Sequence, residues 1–176
     1  MLKKIVITLV AALSLLGPLN AQMVYEEKPE NFEPKIEVAV CFIQTDDKVL
    51  FLKRLPWKPQ GDTWGIPGGK FDPGETPQDT VIRETWEETG IAMPKEALSY
   101  FGKVFVRYPD MDYTLHMFEY KADDLPEVTF NPEEHADYKW VSLKEAMDLL
   151  PLIPGEEECI DLVYGGVPPE KLEHNS

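Results

Sequence analysis

GKFDPGETPQDTVIRETWEETGI, residues 69–91, is the stretch whose reading decides the fold. Thr76 suits a helix N-cap, Pro77 the first helical position and Asp79 the reciprocal place in a capping box. Gly90 suits the left-handed residue just past a helix end. The spacing therefore predicts a helix over Pro77–Thr89. On its 3.6-residue period Glu84, Glu87 and Glu88 share a side with Thr80 and Val81. Ile82, Trp86 and Thr89 lie opposite and are expected to face another apolar surface. For an isolated helix this is a poor arrangement. Like charges at i,i+4 cost roughly 0.2–0.5 kcal/mol per pair, and acids in the last turn oppose the helix dipole at roughly 0.3–1 kcal/mol each. Arg83 alone cannot neutralise those three glutamates, and Glu75 adds a further acid just upstream. A bare E-x-x-E-E is most often a solvated acidic face. Here it follows the glycine-rich run Gly65-Ile66-Pro67-Gly68-Gly69, and hard oxygen ligands gathered beside a tight turn are what a divalent cation requires.

The glycine run is not a phosphate-binding P-loop. That motif needs G-x-x-x-x-G-K-[ST], whereas Trp64 stands at the first glycine and Phe71 follows Lys70. The glycines instead let the backbone fold tightly against the helix and offer a carbonyl to a cation.

Length and composition narrow the classes. A chain of 176 residues with 43% hydrophobic content supports one domain with a real core rather than disorder. The formal net charge of −15 excludes general nucleic-acid binding, which needs a basic surface. It also repels a phosphate substrate, so such a substrate would dock only through cations and a local basic patch. Arg54 is the first choice for that patch, because guanidinium grips phosphate bidentately. Lys70 is the second, with Lys53 and Lys58 nearby. Trp57, Phe71, Tyr108 or Tyr113 could stack on a base, while His116 reads as packing.

These residues resemble the Nudix box, G-x5-E-x7-R-E-U-x-E-E-x-G-U with U a bulky aliphatic, which marks the Nudix hydrolase family. Gly69, Glu75, Arg83, Glu84, Glu87, Glu88, Gly90 and Ile91 match at the required spacing, and Thr85 at the first U position is the one departure. The likeness continues through Trp64-Gly65-Ile66-Pro67-Gly68-Gly69 and Tyr138-Lys139-Trp140-Val141-Ser142-Leu143, and covers roughly residues 35–150. It implies an α/β fold, the Nudix α/β/α sandwich with a mixed sheet, in which the box forms a loop–helix–loop. It also implies magnesium-dependent hydrolysis, with manganese as the alternative ion, of a nucleoside diphosphate linked to another moiety, by attack of water on phosphorus. In that scheme Glu87, Glu88 and the Gly68 carbonyl are metal ligands. Glu84 binds or positions a metal-bound water and is the candidate base. Arg83 holds the carboxylates, and Glu75 gives electrostatic support. The family often adds an acid from a later loop, for which Glu134 is preferred over Glu133. A non-catalytic Nudix module that senses a nucleotide is the alternative. A degenerate box would favour it, and this box keeps every charged residue.

Along the chain, Lys3 and Lys4 precede an apolar run over 5–16 and then Gly17-Pro18-Leu19-Asn20-Ala21, the pattern of a secretory signal peptide cut after Ala21. That run is too short to span a bilayer. Losing its two lysines would move the formal charge from −15 to −17. Export to the periplasm or beyond is the expectation, and a cytoplasmic start at Met23 is the alternative. Residues 22–34 read as a linker, 35–165 as the domain and 166–176 as a flexible tail. Strands are expected at 36–43, 49–52, 98–108, 113–120 and 138–141, with helices at 143–150 and 156–163. Interleaved in this way they give a mixed sheet covered on both faces. Cys41 and Cys159 could pair after export, although Cys41 in an apolar strand reads as a buried thiol. Nothing in the sequence reports the oligomeric state.

Overall fold

Strand β2, Pro34–Thr45, organises the domain because its side chains are buried on both faces. Ala39, Cys41 and Ile43 point into one core cluster, while Phe42, backed by Val38 and Val40, points into the other. This β-branched, nearly unbroken apolar run suits a central strand covered on both sides. The structure, a computed structural model, describes residues 22–165. The expected signal peptide at 1–21 and tail at 166–176 lie outside the described residues.

Around β2 runs a mixed eight-stranded sheet. β7 (Asp112–Lys121) lies parallel to β2, and β6 (Leu98–Arg107) and β1 (Val24–Tyr25) continue that side antiparallel. The other edge of β2 is shared. Its C-terminal end pairs with β3 (Lys48–Arg54) at Gln44↔Val49, and its middle pairs with β5 (Gly68–Lys70) at Val38↔Lys70, Ala39↔Gly69 and Val40↔Gly68. Where the two partners diverge, Cys41 N–H donates to the Pro67 carbonyl at 3.0 Å. The split places the glycine turn in the middle of the sheet. β4 (Trp64–Gly65) and β8 (His135–Val141) flank β3.

Helix α1 (Pro77–Thr89) covers the face that buries Ala39, Cys41, Ile43, Leu50 and Leu52, to which it contributes Val81. Helices α2 (Leu143–Leu149) and α3 (Glu156–Tyr164) cover the other through Leu143, Ala146, Cys159 and Ile160. Each fully buried Phe, Leu or Ile of these clusters contributes roughly 1.5–3 kcal/mol. Among the described residues no helix is long and apolar enough to cross a membrane.

The strand and helix expectations match this architecture, and two details differ. Residues 22–34, read as a linker, are packed: Val24 pairs with Val106, and Val24 and Phe32 are buried. Their two apolar side chains fill an edge that the surrounding glutamates and prolines hide in the sequence. Trp86 does not face an apolar surface; it is 60% exposed. The buried stripe of α1 is Thr80, Val81, Thr85, Glu88 and Thr89, because the helix approaches β2 and β5 closely there and, apart from Glu88, whose carboxylate meets Gly68 and His135, small residues fill it. Cys41 and Cys159 are both free thiols, in separate core clusters.

Candidate active site

The caps that the sequence signals hold α1 in place. Thr76 and Asp79 form the reciprocal capping box, and Gly90 at φ 73° closes the helix by donating to the Trp86 carbonyl at 2.8 Å. From this helix Arg83 reaches across three of the glutamates. Its Nε and Nη2 take Glu75 in a bidentate grip at 2.7 and 2.9 Å, and its Nη1 bonds Glu84 Oε1 at 2.9 Å and Glu87 Oε2 at 3.1 Å. A further bond from Nη2 to the Lys70 carbonyl, 3.0 Å, ties the guanidinium to the glycine turn. Arg83 and the N–H of Asp72 hold the Glu75 carboxyl down at about 2, so it remains ionised. Glu84 shows the opposite shift. Burial raises its carboxyl above the ordinary value, Arg83 opposes this, and the charges of Glu88 and Glu87 add to the rise.

Glu88 does not join the Arg83 hub. It is buried, accepts from Gly68 N–H at Oε2 (2.9 Å), and has His135 Nε2 2.9 Å from Oε1. The sequence places all four acids around Arg83; the structure leaves Glu88 outside, because at five residues beyond Arg83 it turns toward the sheet. Gly69 shows how closely the turn meets the helix, since a Cβ there would lie 2.3 Å from the Glu84 carboxyl carbon. Gly68, at φ 150°, would drive a Cβ into the Ala39 carbonyl at 2.2 Å.

A cavity of about 580 Å³ opens over this cluster. Glu84, Glu87, Glu88, Gly68, Gly69 and Lys70 line one end, and Arg54, Lys58 and Glu134 stand at its side. Val38, Val40, Leu115, Tyr108, Tyr113 and Glu156 line the remainder. Of the basic candidates, Arg54, Lys58 and Lys70 reach the cavity, whereas Lys53 is outside its lining and pairs with Asp62 at 3.3 Å. Glu134 lines the cavity and Glu133 does not. Of the aromatic candidates, Tyr108 and Tyr113 enter it as an edge-to-face pair with centroids 5.6 Å apart. Trp57 is 78% exposed, and Phe71 packs against His116. His116 is buried between Glu37 and Tyr100, a packing role.

The donor set fits a divalent cation. Three hard carboxylates face one cavity with a single Arg83 among them, and one oxygen or nitrogen each of Glu88, Glu134 and His135 falls within 4.8 Å of the others. Two residues escape the sequence reading. His135 was visible only as the neighbour of Glu134. Glu156 looked like one of three acids opening a helix, yet burial raises its carboxyl to about 8 against one backbone hydrogen bond from Ile66. Only the packing of α3 against β4 makes it a cavity residue.

The model of the NUDIX domain matches residues 33–163. A Bacillus subtilis (strain 168) protein, "Uncharacterized Nudix hydrolase YvcI", is 33% identical over 132 residues, 73% of this chain and 79% of that protein. A "Putative 8-oxo-dGTP diphosphatase 3" of Mycobacterium tuberculosis (strain ATCC 25618 / H37Rv) is 37% identical over 111 residues, 61% of this chain; the match spans 49%, about half, of that relative's length. The crystal structure of the MutT NUDIX hydrolase from Burkholderia pseudomallei superimposes with a TM-score of 0.65 at 25% identity, over 74% of this chain and 98% of that one.

Proposed function

The chain belongs to the NUDIX family, a hydrolase family acting on nucleoside diphosphate derivatives, and from that premise we propose that it is a magnesium-dependent hydrolase whose substrate lies along the cavity, diphosphate at α1 and base at α3. The observation that carries this reading is a single cavity joining Glu84, Glu87 and Glu88 to the apolar wall of Val38, Val40, Tyr108 and Tyr113.

Glu87, Glu88, Glu84 and the Gly68 carbonyl would hold the ion, with Glu134 from the later loop. When bound, magnesium or manganese neutralises charge on the diphosphate and lowers the pKa of water. The protein supplies the remainder. Arg54 and Lys70 bind phosphate oxygens at the rim, offsetting the repulsion of a −15 chain. Glu84 Oε1 is engaged by Arg83, which leaves Oε2 to take a proton from water. The water oxygen bonds to phosphorus in line, the bridging P–O bond breaks with its electron pair, and two phosphate-bearing products leave. Arg83 bridges Glu84 and Glu87 through one nitrogen and orients both, and Glu75 anchors Arg83 from behind.

The name of the mycobacterial relative supports a nucleoside triphosphate with an oxidised base as one substrate to try. The test is turnover of a nucleoside diphosphate and triphosphate panel, with and without magnesium. Metal-dependent release of a phosphate product from one class is expected. Tight binding across the panel with no turnover would instead make the domain a nucleotide sensor.

A further inference from the structure

We propose that His135 is a positioning residue: it fixes the orientation of the Glu88 carboxylate before any cation arrives. The inference rests on the reading of Glu88 as a metal ligand.

Two separate ties run from one segment, residues 129–135, to the last turn of α1. The first is backbone. Asn131 N–H donates to the Glu88 carbonyl at 3.0 Å and Thr129 N–H to the Thr89 carbonyl at 2.8 Å, so the segment satisfies carbonyls that a helix C-terminus leaves open. The Asn131 carbonyl in turn accepts from Glu134 N–H at 3.1 Å and His135 N–H at 2.9 Å, which folds the chain back toward the helix. The second tie is the side chain. β8 begins at His135 with a register shift against β3 between Lys53 and Arg54, the kind of irregularity that re-aims a side chain. It brings His135 Nε2 to 2.9 Å from Glu88 Oε1, with the two side chains only 6% and 7% exposed.

A carboxylate only accepts, so Nε2 carries the proton in this contact. Nδ1 is buried without a partner among the described residues, which suits a bare lone pair and not a second N–H, since an orphaned buried donor is costly. The imidazole is thus committed as a donor to Glu88, and it is not among the residues lining the cavity. With Gly68 N–H on Oε2, the carboxylate plane is gripped at both oxygens, and each oxygen keeps a lone pair for the cavity that Glu88 lines. A ligand held in this way loses little freedom on binding an ion.

The experiment uses the full chain without substrate and measures Mn²⁺ affinity by EPR titration, with circular dichroism as the check on folding. His135→Leu is expected to weaken Mn²⁺ binding about 10–100-fold and to lower kcat at limiting metal while leaving the nucleotide KM in place. His135→Gln, whose amide N–H reaches the Nε2 position, is expected to restore affinity to within about threefold. If His135→Leu does not fold, His135→Asn, whose shorter amide stops short of Glu88, takes its place with the same expectation of weak binding. Pulsed EPR of the wild-type Mn²⁺ complex should show no directly coordinated nitrogen. Directly coordinated nitrogen, or unchanged affinity in both His135→Leu and His135→Asn, overturns the positioning role. Glu88→Gln separates the two readings: if it too leaves Mn²⁺ affinity unchanged, the assignment of Glu88 as ligand fails, whereas weak binding there with intact His135 variants rejects only the present inference.

Discussion

The two ends of the cavity treat carboxyl groups in opposite ways. At α1, acids are crowded and given donors: Arg83 grips Glu75, Glu84 and Glu87, and His135 and Gly68 supply donors to Glu88. At α3, Glu156 sits against Gly65 and Ile66 with no ion-pair partner among the described residues, and burial makes it hold its proton up to about pH 8. One end surrounds its acids with cationic and N–H donors. The other removes charge by keeping the proton, and offers an apolar slot with one O–H and one carbonyl oxygen. Low dielectric penalises an unpaired charge wherever it lies, and the two ends reach different solutions because only one carries cationic and N–H donors.

The contrast breaks most visibly at Glu87. Glu87→Gln keeps shape and hydrogen bonding but removes a charged ligand, so a loss in kcat/KM of about 10³-fold or more is expected, from the several kcal/mol such a centre supplies. Activity within threefold of wild type would remove Glu87 from the metal site. Next comes Gly69→Ala, whose methyl would occupy the position of the Glu84 carboxyl. Glu84 is the flexible partner and swings away, so turnover should fall about 10–100-fold, while the melting temperature moves little. A large stability loss with unchanged kcat would show that the turn, and not Glu84, is what the glycine protects.

Glu156 sharpens the other end. Its carboxyl titrates at about 8 in the folded chain against an ordinary value of 4.5. Above the ordinary value the unfolded chain releases this proton and the folded chain keeps it. The group's contribution to stability is therefore full below that value and declines as pH rises through the folded one. Glu156→Gln should abolish that decline, a difference of about 1–3 kcal/mol in unfolding free energy between pH 5 and pH 8. Parallel denaturation curves for wild type and variant at both pH values would mean that Glu156 is ionised in the folded chain. The smallest effect is expected on the back of α1. Thr85 is fully buried, and its hydroxyl has no hydrogen-bond partner among the described residues. Thr85→Val removes that unpaired group at equal size and should raise stability by about 1 kcal/mol, read from urea midpoints. A decrease would reveal a partner for the hydroxyl.

The α1 end was legible because its signals are local. Thr76, Pro77, Asp79 and Gly90 mark the helix limits, and Glu84, Glu87 and Glu88 repeat at helical spacing, so one window of sequence carries the whole device. Arg54, Lys70 and Glu134 could be named as candidates from residue type and place along the chain, and all three line the cavity. Trp86 was misplaced because a hydrophobic period locates a stripe only to within a residue, and side-chain size then decided which residues met β2. The β1 segment was missed because two buried side chains among glutamates and prolines make no periodic pattern.

The sequence by itself determined the chemistry of the α1 end: which acids gather, on which face, and with which arginine among them. Hydrogen bonds and helix phase act over a few residues, so spacing suffices to state them. Tertiary structure alone decided that Glu88 leaves Arg83 for His135, 47 residues away, and that Glu156 closes the far wall of the cavity. Those relations depend on how β2 splits between β3 and β5 and on where α3 lands, which sheet pairing fixes and no local window contains.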